Sequence, residues 1–113
     1  MKRLIAACLV AAHLLAPTVH GAESRAGKAS WYAYIPGHAA AGPELRRMLG
    51  PSWRGKTVTV RANGRSIRVV LSDWCQCYKG TRTERLIDLD VRSFARLASP
   101  SMGLVRVEVT RWN

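Results

Sequence analysis

The sequence predicts a mainly β domain, built as a small closed barrel with one or two short helices, and three observations carry that expectation. Segments that alternate apolar and polar residues with period two recur along the chain, turn dipeptides separate them, and only one stretch has clear helical spacing. Five or six short strands cannot make a large open sheet, and closure removes the two edges that a small one would expose. The length of 113 residues supports one compact domain. A hydrophobic share of 48% against 22% charged residues allows a core and argues against wholesale disorder.

Residues 1–22 fall outside that domain. Met1-Lys2-Arg3 is a short basic start, Leu4 to Pro17 is an almost unbroken apolar run, and Thr18 to Ala22 supplies small residues for cleavage after Gly21 or Ala22. This is the pattern of a secretory signal peptide. The run is shorter than the roughly 20 apolar residues a bilayer span needs, so stable membrane insertion is not expected. Ile5-Ala6-Ala7-Cys8 imitates a lipoprotein box, but it leaves too few apolar residues ahead of Cys8, and lipid anchoring is rejected. The domain over residues 23–113 is expected to be secreted, periplasmic or extracellular.

Its elements follow in order. Gly27 to Ala33 is the first strand, and Pro36-Gly-His-Ala-Ala-Ala-Gly-Pro43 is a Gly-, Ala- and Pro-rich surface loop. Glu44 to Leu49 is a short helical turn stopped by Gly50-Pro51. Lys56 to Arg61 and Ser66 to Ser72 flank Asn63-Gly64, the preferred dipeptide of a type I′ hairpin because both residues tolerate positive φ. Val58 and Val60 share one side, as do Ile67, Val69 and Leu71. Arg85 to Leu89 is a further strand running into Asp90, the N-cap of a helix over 91–98 whose apolar stripe is Phe94, Leu97 and Ala98. The last strand, within Gly103 to Trp112, points Val105, Val107 and Val109 inward and Arg106, Glu108 and Thr110 outward.

Lys and Arg number 18 against 7 Asp and Glu, a formal charge of +11 with a pI near 10.8. Without Lys2 and Arg3 the domain keeps 16 basic and 7 acidic residues, a charge of +9, so the excess belongs to the folded part. Export turns the choice of partner away from nucleic acid and toward anionic cell-surface polymers such as peptidoglycan carboxylates, teichoic acids or acidic lipids. The same charge also keeps a small domain soluble, and a monomer is expected.

Cys8 leaves with the leader, and Cys75 and Cys77 remain in an oxidising compartment. In an extended strand their Cα atoms would lie near the upper limit of about 7 Å for a disulfide, so a bridge requires a local turn. Free and bridged thiols both stay open. Structural zinc wants four ligands, and two thiols with His38 fall short, so neither metal nor cofactor is expected.

Ala29-Ser-Trp-Tyr32, Gly55-Lys-Thr-Val-Thr-Val60, Asn63-Gly-Arg-Ser66, Val69-Val-Leu-Ser-Asp73, Leu86-Ile-Asp-Leu89 and Gly103-Leu-Val-Arg-Val-Glu-Val109 occur in an order and spacing that covers nearly all of residues 23–113. In this the chain resembles the rare lipoprotein A-like domain, a relative of expansins, barwins and some lytic transglycosylases. The resemblance implies a six-stranded double-psi β-barrel that engages peptidoglycan. Two departures stand out. Met48-Leu-Gly-Pro-Ser-Trp-Arg54 has no histidine where lytic members carry one, and Trp74-Cys-Gln-Cys77 replaces the family's Arg-Gly-Pro after Asp73.

Glycoside cleavage ordinarily uses two carboxylates. A lytic transglycosylase manages with one, because the muramic acid's C6 hydroxyl attacks the anomeric carbon. Asp73, at a strand end beside Trp74, is the candidate acid/base. Asp88, which alternates with Ile87 and Leu89, is a supporting candidate, and His38 could replace the missing histidine. Trp31, Tyr32, Tyr34, Trp74 and Tyr78 offer flat faces that stack on pyranose rings, and Arg85 could pair with glycan or peptide carboxylates. Two functions therefore compete: a lytic transglycosylase, and a non-catalytic wall-binding or expansin-like loosening module, which the missing histidine favours on mechanism. A cationic antimicrobial role would rest on charge alone.

Overall fold

The computed structural model describes residues 23–112, so the signal-peptide reading of residues 1–22 lies outside them. Six strands close into a barrel: β1 (Ser24–Tyr32), β2 (His38–Ala41), β3 (Thr57–Ala62), β4 (Arg65–Trp74), β5 (Ile87–Asp90) and β6 (Val105–Arg111). Around the barrel they run β1-β5-β2-β4-β3-β6. Two short helices, α1 (Pro43–Leu49) and α2 (Val91–Ala95), and a 3-10 turn at Pro100–Met102 complete the described residues. This is the mainly β, six-stranded closed barrel with two short helices that the sequence predicts.

Alternation fills the interior. Val58 and Val60 of β3, Ile67, Val69 and Leu71 of β4, and Val105, Val107 and Val109 of β6 are buried, while Arg61, Arg68, Arg106 and Glu108 face solvent. The hairpin between β3 and β4 turns at Asn63 and Gly64, with φ of 53° and 74° as a type I′ turn demands. Asn63 also donates through Nδ2 to the Leu97 carbonyl at 2.8 Å, tying the hairpin tip to the far side of the core.

One segment is corrected. The surface loop expected over 36–43 contains β2, which runs parallel to β4 and antiparallel to β5 in the middle of the barrel wall. Ala39, Ala40 and Ala41 are almost wholly buried there. Alanine carries little β propensity, so nothing local marks the strand; two flanking strands supply the hydrogen bonds and the burial that propensity does not. Boundaries also shift. β1 starts at Ser24 because Ser24 pairs with Thr110, and β5 starts at Ile87, not Arg85. α2 ends at Ala95, with Leu97 and Ala98 folded back by bonds to the Phe94 carbonyl. Phe94 and Leu97 keep their inward places. Among the described residues no helix is long and apolar enough to cross a membrane.

Candidate groove on the β1-β5-β2-β4 wall

Register across four strands assembles the site. Ser30 pairs with Asp88, Asp88 with Ala40, and Ala40 with Asp73, so one row of outward residues crosses β1, β5, β2 and β4. Cross-strand partners share a face, and the methyl group of Ala40 therefore lies between two carboxylates. A shift in register between Ala39 and Ala40 leaves Ser72 as an extra residue of β4, since Ala39 pairs with Leu71 but Ala40 with Asp73. Such a bulge re-aims side chains. Here Ser72 and Asp73, though adjacent in sequence, both reach groups on the outer wall.

On one flank of Ala40 lies a hydrogen-bonded cluster. Tyr32 Oη donates to Asp73 Oδ2 at 3.1 Å, and the Trp74 amide donates to Asp73 Oδ1 at 2.8 Å. Tyr32 stacks on Tyr34, with ring centroids 4.8 Å apart. Ser72 Oγ lies 2.9 Å from Tyr34 Oη and 2.9 Å from His38 Nδ1. Burial, the bond to Asp73 and the nearby negative charges push the Tyr32 hydroxyl far above the ordinary tyrosine range, so it stays a donor. Among the described residues no ion pair engages Asp73.

On the other flank is a cleft of about 260 Å³ lined by Ser30, Trp31, Cys75, Cys77, Tyr78, Arg85 and Asp88. Ser30 Oγ donates to Asp88 Oδ1 at 2.9 Å. Burial raises the Asp88 carboxyl above the usual carboxylate range; the Ser30 bond and the Arg85 charge work against that rise, and Asp73 adds to it. Arg85 lies over the Tyr78 ring at 4.1 Å, and Trp31 is held by a 2.8 Å bond from Nε1 to the Pro100 carbonyl. Trp74 is half exposed, with Arg46 over its ring at 5.5 Å.

The segment between β4 and β5 gives the cleft its second wall. Cys75 and Cys77 are joined as a disulfide with Cα atoms 5.0 Å apart. Its local turn is plain: Cys77 and Tyr78 both have positive φ, 53° and 58°. The Cys75 amide donates to the Ala41 carbonyl at 3.1 Å, and Arg46 Nη1 donates to the carbonyls of Ala41 and Cys75 at 2.7 and 2.9 Å. Behind the wall, Asp90 caps α2 through Ser93 and accepts the Gly37 amide at 2.9 Å, which fixes the turn that leads into β2.

Every predicted site residue thus lies on or beside this wall, but in two groups. Tyr32, Tyr34, His38 and Asp73 form the hydrogen-bonded cluster, and Trp31, Tyr78, Arg85 and Asp88 form the cleft; His38 reaches Asp73 only by way of Ser72 and the tyrosines. Ser30 and Ser72 were not singled out in the sequence. The outward parity that Ser30 shares with Tyr32 was a usable signal, whereas the bulge that turns Ser72 outward is invisible without the partner strand. Among the described residues no group of three His, Cys, Asp or Glu could hold a metal ion.

The fold and the wall define the class: a closed double-psi β-barrel bearing an open groove of carboxylates and exposed aromatic rings. No protein-family model matches the chain, and no curated protein matches it in sequence. Solved structures do match. A mutant Clavibacter michiganensis expansin in complex with cellohexaose aligns with a TM-score of 0.63 at 14% identity, over 80% of this chain and 51% of that one. The apo form of that expansin gives 0.63 at 16% identity with the same coverage. A Streptomyces papain inhibitor aligns at 0.59 with 26% identity, over 79% of this chain and 93% of the inhibitor. The chain therefore spans about half the length of these expansins and nearly all of the inhibitor. The expansin likeness concerns the fold.

Proposed function

We propose that this protein is an exported cell-wall glycan-binding or loosening module that uses the β1-β5-β2-β4 wall, with peptidoglycan as the glycan. The observation that carries the reading is the row Ser30, Asp88, Ala40 and Asp73, edged by the exposed rings of Trp31, Trp74 and Tyr78. Pyranose rings stack on flat aromatic faces while carboxylates accept sugar hydroxyls. The expansin bound to cellohexaose supports a glycan on this kind of barrel. The domain's charge of +9 favours an anionic wall polymer over a neutral one. Residues 1–22 serve as the leader in this reading.

Binding comes ahead of cleavage. His38, the residue expected to assist Asp73, is bonded to Ser72 and not to the carboxylate, so the acid stands without its expected helper. The test incubates residues 23–113 with peptidoglycan sacculi and with glycan strands stripped of stem peptides. Pelleting with sacculi without 1,6-anhydro products is the expected result. Anhydro products that vanish in Asp73→Asn would establish a lytic transglycosylase instead, and failure to pellet at moderate salt overturns the glycan reading.

A second reading, inhibition of a papain-like protease, is favoured by one observation: the papain inhibitor is matched over 93% of its length at higher identity than the expansins. Titrating papain with the protein decides it. Full protease activity at a tenfold molar excess, taken as about ten times stoichiometric, removes this reading.

A further inference from the structure

We propose that the Cys75–Cys77 bridge is a thiol-exchange site, at which an external thiolate, from a small thiol or a protein cysteine, attacks Cys75 Sγ from the cleft and becomes linked to it. The inference stands apart from the glycan reading, because it rests on the bridge and its surroundings.

The bridge closes a loop of sequence separation two. Cross-links stabilise a fold chiefly by restricting the unfolded chain, and that restriction grows with loop length, so this one sits at the bottom of the scale. The apolar core cluster of the barrel contains neither cysteine. What the bridge does hold is local: Cys77 and Tyr78, neither of them glycine, in consecutive left-handed conformations. Release of the bond frees a backbone that side chains rarely adopt.

Access selects the sulfur. Both cysteines line the cleft, but Cys75 is half-buried and Cys77 is buried at 7% exposure. Charge selects the form that reacts. Arg46 is bonded to the Cys75 carbonyl, and Arg85 lines the same cleft while its amide donates to the Cys77 carbonyl at 2.8 Å. Asp88 is the acid lining that cleft. The Arg85 guanidinium, which shares the cleft with both cysteines, favours thiolate over thiol for the incoming group and for the sulfur that leaves.

The step balances without an added oxidant. The external thiol loses its proton and its sulfur lone pair forms a new S–S bond to Cys75 Sγ. The Cys75–Cys77 bond breaks, its electron pair goes to Cys77 Sγ, and that thiolate takes up the proton. Return attack by Cys77 on the mixed disulfide reverses the step; a second external thiol completes reduction to the dithiol.

The test treats the oxidised protein with reduced glutathione in native buffer, quenches with acid, alkylates and maps peptides by mass spectrometry. One glutathione on Cys75, with Cys77 alkylated, is expected. As a second arm, Cys77→Ser should accept glutathione from its disulfide about tenfold faster than Cys75→Ser, with circular dichroism checking that both remain folded. Three results would overturn the proposal: no adduct until denaturant is added, an adduct mainly on Cys77, or a purified protein whose two thiols stay unbridged in air. The wild-type peptide map decides the matter even when a serine variant does not fold, and it is read without any glycan.

Discussion

Gly42 makes a test in which two physical effects predict opposite signs. It stands between β2 and α1 with φ of −73°, a conformation open to any residue. Backbone entropy alone says that Gly42→Ala should stabilise the protein by about 0.4–1 kcal/mol, by restricting the unfolded chain. The packing says otherwise. A Cβ built there would lie 2.5 Å from the Arg85 carbonyl oxygen and 2.8 Å from that of Leu86, both backbone atoms. Ordinary contact begins at 3.4 Å, so the two carbonyls would have to retreat by about 0.9 and 0.6 Å. The Gly42 amide donates to that same Leu86 carbonyl at 2.9 Å, so the retreat also breaks a buried bond. Overpacking costs about 1–3 kcal/mol and the lost hydrogen bond about 1, which after the entropy gain leaves a net loss of about 1–3.5 kcal/mol. In a domain of this size that lowers Tm by roughly 4–28 °C. Thermal unfolding followed by circular dichroism reads it directly, with Gly37→Ala, where a Cβ meets open space but φ is +82°, as the comparison for strain without a clash. A Tm for Gly42→Ala equal to or above that of the wild type would refute the reasoning, and with it the close approach that sets Arg85 in the cleft.

Three other outcomes follow from the same wall. Asp88 binds its proton more tightly in the folded state than in the unfolded chain, so its contribution is fully present below the unfolded pKa and is lost as pH rises through the folded one; Asp88→Asn should flatten that decline and raise Tm at neutral pH, measured as Tm against pH. Tyr78→Ala removes an exposed ring that carries no core packing, and should weaken sacculus binding by about two- to tenfold in a pelleting isotherm while leaving Tm in place. Asp90→Ala leaves the amides of Ser93 and Gly37 without their shared acceptor, costing about 2–4 kcal/mol in denaturant unfolding, with a smaller loss for Asp90→Asn.

The residues of the site differ in how far their own chemistry reveals them, for physical reasons. Trp31, Tyr78 and Asp88 declare themselves through chemistry: aromatic or acidic side chains next to apolar, alternating positions. Their gathering into a cleft does not, because it depends on the parallel pairing of β1 with β5, two segments more than fifty residues apart. Asp73 and His38 looked like an acid and its helper. The register shift at Ser72 instead gives each a different partner, Tyr32 for the carboxylate and Ser72 for the imidazole.

By itself the sequence determined what local rules can encode. Alternation set the inward faces of β3, β4 and β6, Asn63-Gly64 set the hairpin, Asp90 set the start of α2, and composition set a basic surface around a small core. Only the tertiary structure decided that 38–41 is a strand, that a cluster and a cleft flank Ala40, and that Cys75 and Cys77 close a turn at the cleft wall. These features rest on contacts between segments far apart in the chain. A side chain's propensity reports its own backbone, whereas pairing and burial are properties of whichever strand the barrel brings beside it.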